Sequence, residues 1–361
     1  MRVAVIGAGA GGAASVAELT LAGHAVTLWN RSAATLAPFM ALGGVEYKGV
    51  LGTGVSTPQR MTLDLGQAIE GADVALVCLP TITHRAIARS LAQLGAHALP
   101  VVLNPGHTGG ALEFQESYRL AGGGRAPPIA EFHTLAYIAR KYTPTEVTIT
   151  GTAKFLRLGV LPGGTAAADA ARRLYPVAHP VADVLNSSLA NLNMTLHAPG
   201  AVLGAAWIEA TRGAFTFYVQ GMTPGVARVM RALDDERLAV ARAFGHELLA
   251  LGAEMQKYGT IEAHVPDTTD LVGAIASGEA NKRIKAPDSL AHRYYLEDFG
   301  YGLVPFIALA AAANVEVPVA NALLNLGATL TGVDFRAIGR TAQTMGIAGL
   351  DRDGVLRLVR S

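Results

Sequence analysis

Cysteine is nearly absent from this 361-residue chain: Cys78 stands alone, which excludes an internal disulfide and suits a reducing cytoplasm. Charge is scarce and balanced, with 29 Lys+Arg against 28 Asp+Glu and only 16% charged residues, so neither a nucleic-acid nor another polyanion partner is implied. No H-x-x-x-H pair occurs among the 10 histidines, which leaves metal catalysis without a motif. Hydrolase chemistry lacks its G-x-S-x-G turn. The longest apolar run, Val304 to Val315, is broken at Asn314 and falls short of the roughly 20 residues that a bilayer requires. The apolar set nonetheless makes up 51% of the chain, and that excess is expected to go into a homodimer interface rather than a membrane.

What is present is organised around the first thirty residues. Arg2 to Ile6 is a short β-branched run. It ends in Gly7-Ala8-Gly9-Ala10-Gly11-Gly12, which fits G-x-G-x-x-G. An alanine-rich stretch to Leu21 follows as a helix, and Ala25 to Trp29 as a second strand ending at Asn30. In such a βαβ unit Gly7 permits the tight turn, Gly9 admits a pyrophosphate to the backbone, and Gly12 lets helix and strand pack closely. The competing readings are a secretory signal and a turn that binds nothing. The first is opposed by the four glycines that interrupt the uncharged stretch.

An NAD enzyme usually carries Asp or Glu at the end of the second strand, to hold the ribose 2′-hydroxyl. Asn30-Arg31-Ser32 stands there instead. A guanidinium flanked by an amide and a hydroxyl can receive a 2′-phosphate, so NADP is the expected cofactor and NAD the alternative. Arg31 as a plain solvated charge is the bland reading.

Further along, Gly43 to Thr57 reads as a small hairpin. Val74 to Leu79 is a core strand that brings Leu79 and Pro80 to the cofactor edge, Arg85 to Leu94 is a helix, and Val101 to Leu103 another strand. His84 and His107, in the loops that follow these two strands, are minor candidates for that edge. Ile129 to Phe132 is a strand, and Glu146–Thr150 with Lys154–Leu161 is expected as a closing hairpin. After Pro162-Gly163-Gly164 strands almost vanish. The fold class is therefore α/β, a Rossmann-type doubly wound sheet over residues 1–180 followed by an all-helical domain over 181–361.

In the helical half, a long helix is expected to begin at Asp183. It would carry Asn186, Asn193 and His197 on one stripe, with a disturbance after His197 caused by Pro199. That stripe is either a site or a buried polar network satisfying itself. Further helices are expected over 224–251, 267–277, 301–313, 319–330 and 334–345. A second cluster, Asp288 to Gly302, gathers His292, Arg293, Tyr294, Tyr295, Glu297 and Asp298. Arg293 and Glu297 could form an i,i+4 ion pair there, and Gly300 and Gly302 could end a helix.

The N-terminal fingerprint, the strand ending Cys78-Leu79-Pro80, the Glu131–Arg140 stretch, Asn193-Met194-Thr195-Leu196-His197-Ala198-Pro199 and Arg293-Tyr294-Tyr295-Leu296-Glu297-Asp298 together resemble the octopine/nopaline (opine) dehydrogenases. The resemblance implies an oxidoreductase that condenses a 2-oxo acid with an amino acid's amine and reduces the imine with a nicotinamide hydride. It implies that His197 is the catalytic acid/base, that Asp298 pairs with it, and that Arg293 binds a substrate carboxylate, with Asn193 and Tyr294 in the same stretches lining the substrate site. The chain departs from the family pattern at Leu135-Ala136-Tyr137, where Leu-Pro-Tyr is frequent. A ketopantoate-type 2-oxo-acid reductase is the alternative, although such enzymes often use a lysine and none lies between Ala182 and Arg212. A non-catalytic NADP-sensing protein is the other.

Overall fold

The computed structural model describes residues 1–360. Its chain contacts divide it into two units, residues 1–106 with 110–184 and residues 107–109 with 185–361.

The first unit is built on two sheets. Its strands in chain order are β1 (Arg2–Ile6), β2 (Ala25–Trp29), β3 (Val45–Gly49), β4 (Gly54–Ser56), β5 (Arg60–Thr62), β6 (Val74–Val77), β7 (Val101–Leu103), β8 (Ile129–Phe132), β9 (Tyr137–Lys141), β10 (Glu146–Thr152), β11 (Leu156–Val160) and β12 (Ala178–Pro180). The large sheet runs β12-β11-β8-β7-β6-β1-β2-β5, and its β5-β2-β1-β6-β7-β8 portion is parallel throughout in the doubly wound order. The strand order reverses at β1, and the chain leaving β1 lies at that switch point. Val3, Val5, Val74, Leu76 and Val102 are buried, as strands covered on both faces require.

The small sheet corrects one expectation. Glu146–Thr152 does not turn back on Leu156–Val160. It pairs antiparallel with β9 and parallel with β3, while β11 crosses to the large sheet and lies antiparallel to β8. Both runs alternate, and alternation specifies a half-buried strand without naming its partner. The anticipated hairpin between Gly43 and Thr57 is present as β3 and β4.

The second unit is helical, and among its described residues an isolated bridge joins Thr216 to Lys285. The long helix expected from Asp183 is two helices, Val184–Leu189 and Asn193–Leu203. Tertiary bonds make the break. The buried Arg237 donates to the Leu189 carbonyl at 3.0 Å, and Asn191 Oδ1 accepts the Asn193 backbone N–H at 3.1 Å, an Asx turn that competes with helix. Arg237 also pairs with Asp234, whose other oxygen accepts the Leu251 N–H, so one buried charge pair ties three segments. Asn186 is thereby separated from the helix that carries Asn193 and His197. Pro199 does not disturb that helix, which continues to Leu203.

Residues Tyr295–Leu303 form a π-helical segment that passes directly into Val304–Ala312, so Gly300 and Gly302 end nothing. A Cβ on Gly302 would come within 2.8 Å of Met194 Cβ; the glycine is what lets this segment lie against Asn193–Leu203. Segments of this kind add one residue to a turn, re-aim the side chains and are frequent at functional sites. No helix among the described residues is long and apolar enough to cross a membrane.

Candidate active site

The glycine turn has a backbone that requires glycine at Gly7 and Gly12. Gly7 has φ of +119°, a region L side chains rarely adopt, and an added Cβ would meet Cys78 O at 2.6 Å. A Cβ on Gly12 would stand 1.8 Å from Gly7 O, so any larger residue would prise the helix off the strand. Gly9 differs from both: nothing lies within 4 Å of the Cβ it lacks. The protein itself does not need a glycine there, whereas a phosphate approaching the start of helix Ala10–Leu21 does. Leu79 packs beside Gly7, and Pro80 follows it at the exposed rim.

Of the three residues at the end of β2, Asn30 is buried and accepts the Ala8 N–H on Oδ1 at 3.1 Å, holding the turn to the strand. Ser32 caps helix Ala33–Leu42 by accepting the Thr35 N–H. Arg31 is exposed and forms no ion pair or side-chain hydrogen bond among the described residues. His84 is fully buried, with Nε2 at 3.3 Å from the Leu79 carbonyl, and so supports this loop instead of facing solvent. Cys78 lies beneath the turn between Ser15 and Asn104, and burial pushes its thiol up to about 12, which leaves it chemically inert.

In the helical unit, His197 is the centre of a compact constellation. Its Nδ1 is 2.6 Å from Asp298 Oδ2 and its Nε2 is 2.6 Å from the Tyr218 hydroxyl. Tyr294 stacks on the ring at 3.8 Å between centroids with 10° between planes, and Phe217 meets it edge-on at 6.2 Å. An ionised carboxylate only accepts, so Nδ1 carries a proton and Nε2 of the neutral ring accepts from Tyr218. His197, Asp298 and Tyr218 are all buried. Arg293 is exposed, its guanidinium 5.9 Å from the Tyr294 ring. It forms no ion pair with Glu297. Burial, with Asp298 adding to it and Arg293 only partly opposing it, pushes the Glu297 carboxyl up to about 7.

Asn193 opens the histidine's helix one turn earlier and is half-buried. His107 belongs to this same unit, not to a solvated loop. Its backbone is left-handed at φ 60°, its side chain bonds Asn191, and burial drives it down to about 4 although Asp298 nearby pulls the other way. Tyr218 and Phe217 are neighbours of the site that the sequence did not mark, and His107, expected at the cofactor edge, lies beside it instead. Nothing in Phe215-Thr216-Phe217-Tyr218 signals it, because the loop is brought to His197 by Phe217 N–H donating to Ile284 O at 2.9 Å and by the Thr216–Lys285 bridge.

Two family models match the chain: the alpha-helical domain of NAD/NADP octopine/nopaline dehydrogenase over residues 180–331, and ketopantoate reductase over residues 3–104. Opine dehydrogenase of Arthrobacter sp. (strain 1C) is 33% identical over 354 residues, covering 98% of this chain and 97% of its own. The chain belongs to the opine dehydrogenase family. It is an oxidoreductase acting on CH–NH bonds with a nicotinamide cofactor. Octopine dehydrogenase of Mizuhopecten yessoensis is 26% identical over 73% of this chain and 71% of its own. Among solved structures, octopine dehydrogenase in complex with NADH and agmatine superposes with a TM-score of 0.77 at 22% identity, over 99% of this chain and 98% of that chain. NADP⁺-bound yersinopine dehydrogenase gives 0.72 at 16% identity, over 99% and 97%. These likenesses bear out the expected α/β fold class with its helical second half.

Proposed function

We propose that this family member uses NADPH, with NADH as the weaker donor, to join a 2-oxo acid to the amine of an amino acid. Residues 1–180 serve as the NAD(P)-binding domain and 181–361 as the substrate domain. The observation that carries the reading is the buried 2.6 Å contact of His197 with Asp298, within the stretch that matches the octopine/nopaline helical domain.

Gly7, Gly9 and Gly12 cradle the pyrophosphate, and Leu79 and Pro80 border it. Asn30 and Ser32 shape the loop from which the free Arg31 guanidinium meets a 2′-phosphate. The bound cofactor supplies hydride. Everything else falls to the protein: Arg293 takes the oxo-acid carboxylate in its planar fork, Tyr294 and Asn193 line the place beside it, and His197 supplies and recovers the proton that imine formation needs. Asp298 holds the ring with Nδ1 protonated and Nε2 turned to the Tyr218 hydroxyl.

The enzyme acts in the cytoplasm, where a lone reduced cysteine is at home, and as a homodimer. Exposed Leu203, Trp207, Leu326, Leu330 and Ile338 on the helical unit support the latter. The deciding experiment is a matrix of NADPH and NADH against pyruvate, oxaloacetate and 2-oxoglutarate, with and without a panel of amino acids. Cofactor oxidation that requires both organic substrates is the expected result. Oxidation with the oxo acid alone, yielding a hydroxy acid, would replace this reading with a simple reductase.

A further inference from the structure

Both ring nitrogens of His197 are occupied, Nδ1 by Asp298 and Nε2 by the Tyr218 hydroxyl, each at 2.6 Å. A general acid must lie within about 2.6–3.2 Å of the atom it protonates, or act through one intermediary. The Tyr218 hydroxyl is such an intermediary. It shares a second hydrogen bond with Tyr294, whose ring stacks on His197 and lies 5.9 Å from the Arg293 guanidinium. The hydroxyl thus links the imidazole to Tyr294, the ring nearest the guanidinium proposed to hold the substrate carboxylate. We infer that Tyr218 is a catalytic residue: its hydroxyl exchanges the proton with substrate, and His197 reloads it. The inference rests on the reading of His197 as the acid/base.

The step concerned is loss of water from the carbinolamine that forms when the amine adds to the oxo acid. With His197 as imidazolium, Nε2–H donates to the Tyr218 oxygen, and Tyr218 donates its own proton to the carbinolamine hydroxyl. As the C–O bond breaks, that hydroxyl leaves as water with the Tyr218 proton, and the Nε2 proton moves to the Tyr218 oxygen. The nitrogen lone pair closes the C=N bond. The positive charge passes from imidazolium to iminium, and Tyr218 is a neutral phenol before and after. That neutrality matters, since burial and the neighbouring Tyr294 and Asp298 raise the phenol well above its ordinary pKa, and a free phenolate would be costly there.

Tyr218→Phe removes only the hydroxyl and keeps the ring that packs edge-on to Phe217 at 5.2 Å. The variant is compared with His197→Ala in kcat, in KM for oxo acid and amine, in NADPH affinity, and in the dependence of kcat on deuterium fraction in the solvent. Expected for Tyr218→Phe is a loss of about 10²-fold in kcat, within the range for general acid/base groups, with cofactor affinity unchanged. Wild type should give a curved deuterium dependence, from two protons in flight, and Tyr218→Phe a straight one. A Tyr218→Phe kcat within about threefold of wild type, while His197→Ala is crippled, overturns the role of Tyr218 and leaves that of His197 standing. A straight dependence in wild type overturns the relay and reduces Tyr218 to a positioning residue. An active His197→Ala enzyme removes the reading beneath both.

Discussion

Consecutive residues, Gly7 to Gly12, carry the whole dinucleotide turn, whereas the His197 cluster draws on Tyr218, Tyr294 and Asp298, the last of them 101 positions away. The turn is a backbone device. Its glycines act through what they lack, in φ at Gly7 and in space at Gly12 and Gly9, and each effect is local. The cluster is a side-chain device, in which four members come from three segments: a helix through Pro199 for His197, a bridged loop for Tyr218, and the start of a π-helical turn for Tyr294 and Asp298. A motif of the first kind is written in spacing. One of the second kind is written in packing, and spacing conveys only which residues are available for it.

The sharpest way to separate the two regions is to break each in turn. His197→Ala should lower kcat by about 10²–10⁴-fold, while NADPH binding, followed by fluorescence titration, stays intact. Retained turnover would remove the imidazole from the chemistry. On the other side, Gly12→Ala and Gly9→Ala make a matched pair. Gly12→Ala forces a Cβ to 1.8 Å from Gly7 O, and thermal or denaturant unfolding should show a loss of roughly 3 kcal/mol or more. Gly9→Ala meets no atom of the protein and should unfold like wild type, yet bind cofactor more weakly. Equal behaviour of the two variants would sink the assignment of Gly9 to the phosphate.

A third test sharpens the electrostatic contrast. Glu297 titrates near 7 in the folded chain, above the carboxyl's ordinary 4.5. The unfolded chain therefore releases this proton first. Its contribution to stability is fully present below about pH 4.5 and is lost as the pH rises through 7. Glu297→Gln should accordingly raise stability by about 2 kcal/mol at pH 8, after allowance for partial exposure, and by nothing at pH 4. Unfolding curves at the two pH values decide it; a gain at low pH instead would reverse the sign of the argument. The smallest effect is expected at Arg31, where the guanidinium is exposed and screened. Arg31→Asp should raise KM for NADPH about tenfold, in the range of one charge-assisted contact, and leave NADH nearly unchanged. Parallel changes for both cofactors would leave Arg31 a surface charge.

Alternation and glycine punctuation revealed the doubly wound sheet, because strand, turn and helix there follow one another along the chain. The same signals misassigned Glu146–Thr152, since alternation fixes a strand's faces and not its partner. They also joined Val184–Leu189 to Asn193–Leu203, because the bonds that part these helices come from Asn191 and the distant Arg237. In the second half, His197, Arg293 and Asp298 could be singled out by residue type and family resemblance, but their geometry could not be read from the sequence.

By itself, then, the sequence determined the glycine turn, the βαβ unit around it and the change from strands to helices, all of which depend on patterns and pairings between neighbouring elements along the chain. Tertiary structure alone decided that Asp298 and Tyr218 cap the two nitrogens of His197, that His107 joins the helical unit, and that Arg293 leaves Glu297 unpaired. Those outcomes depend on how buried polar groups find partners across long separations, where each must be matched or the burial is costly. The Gly7–Gly12 turn could have been drawn from thirty residues. The His197 cluster needed the folded chain.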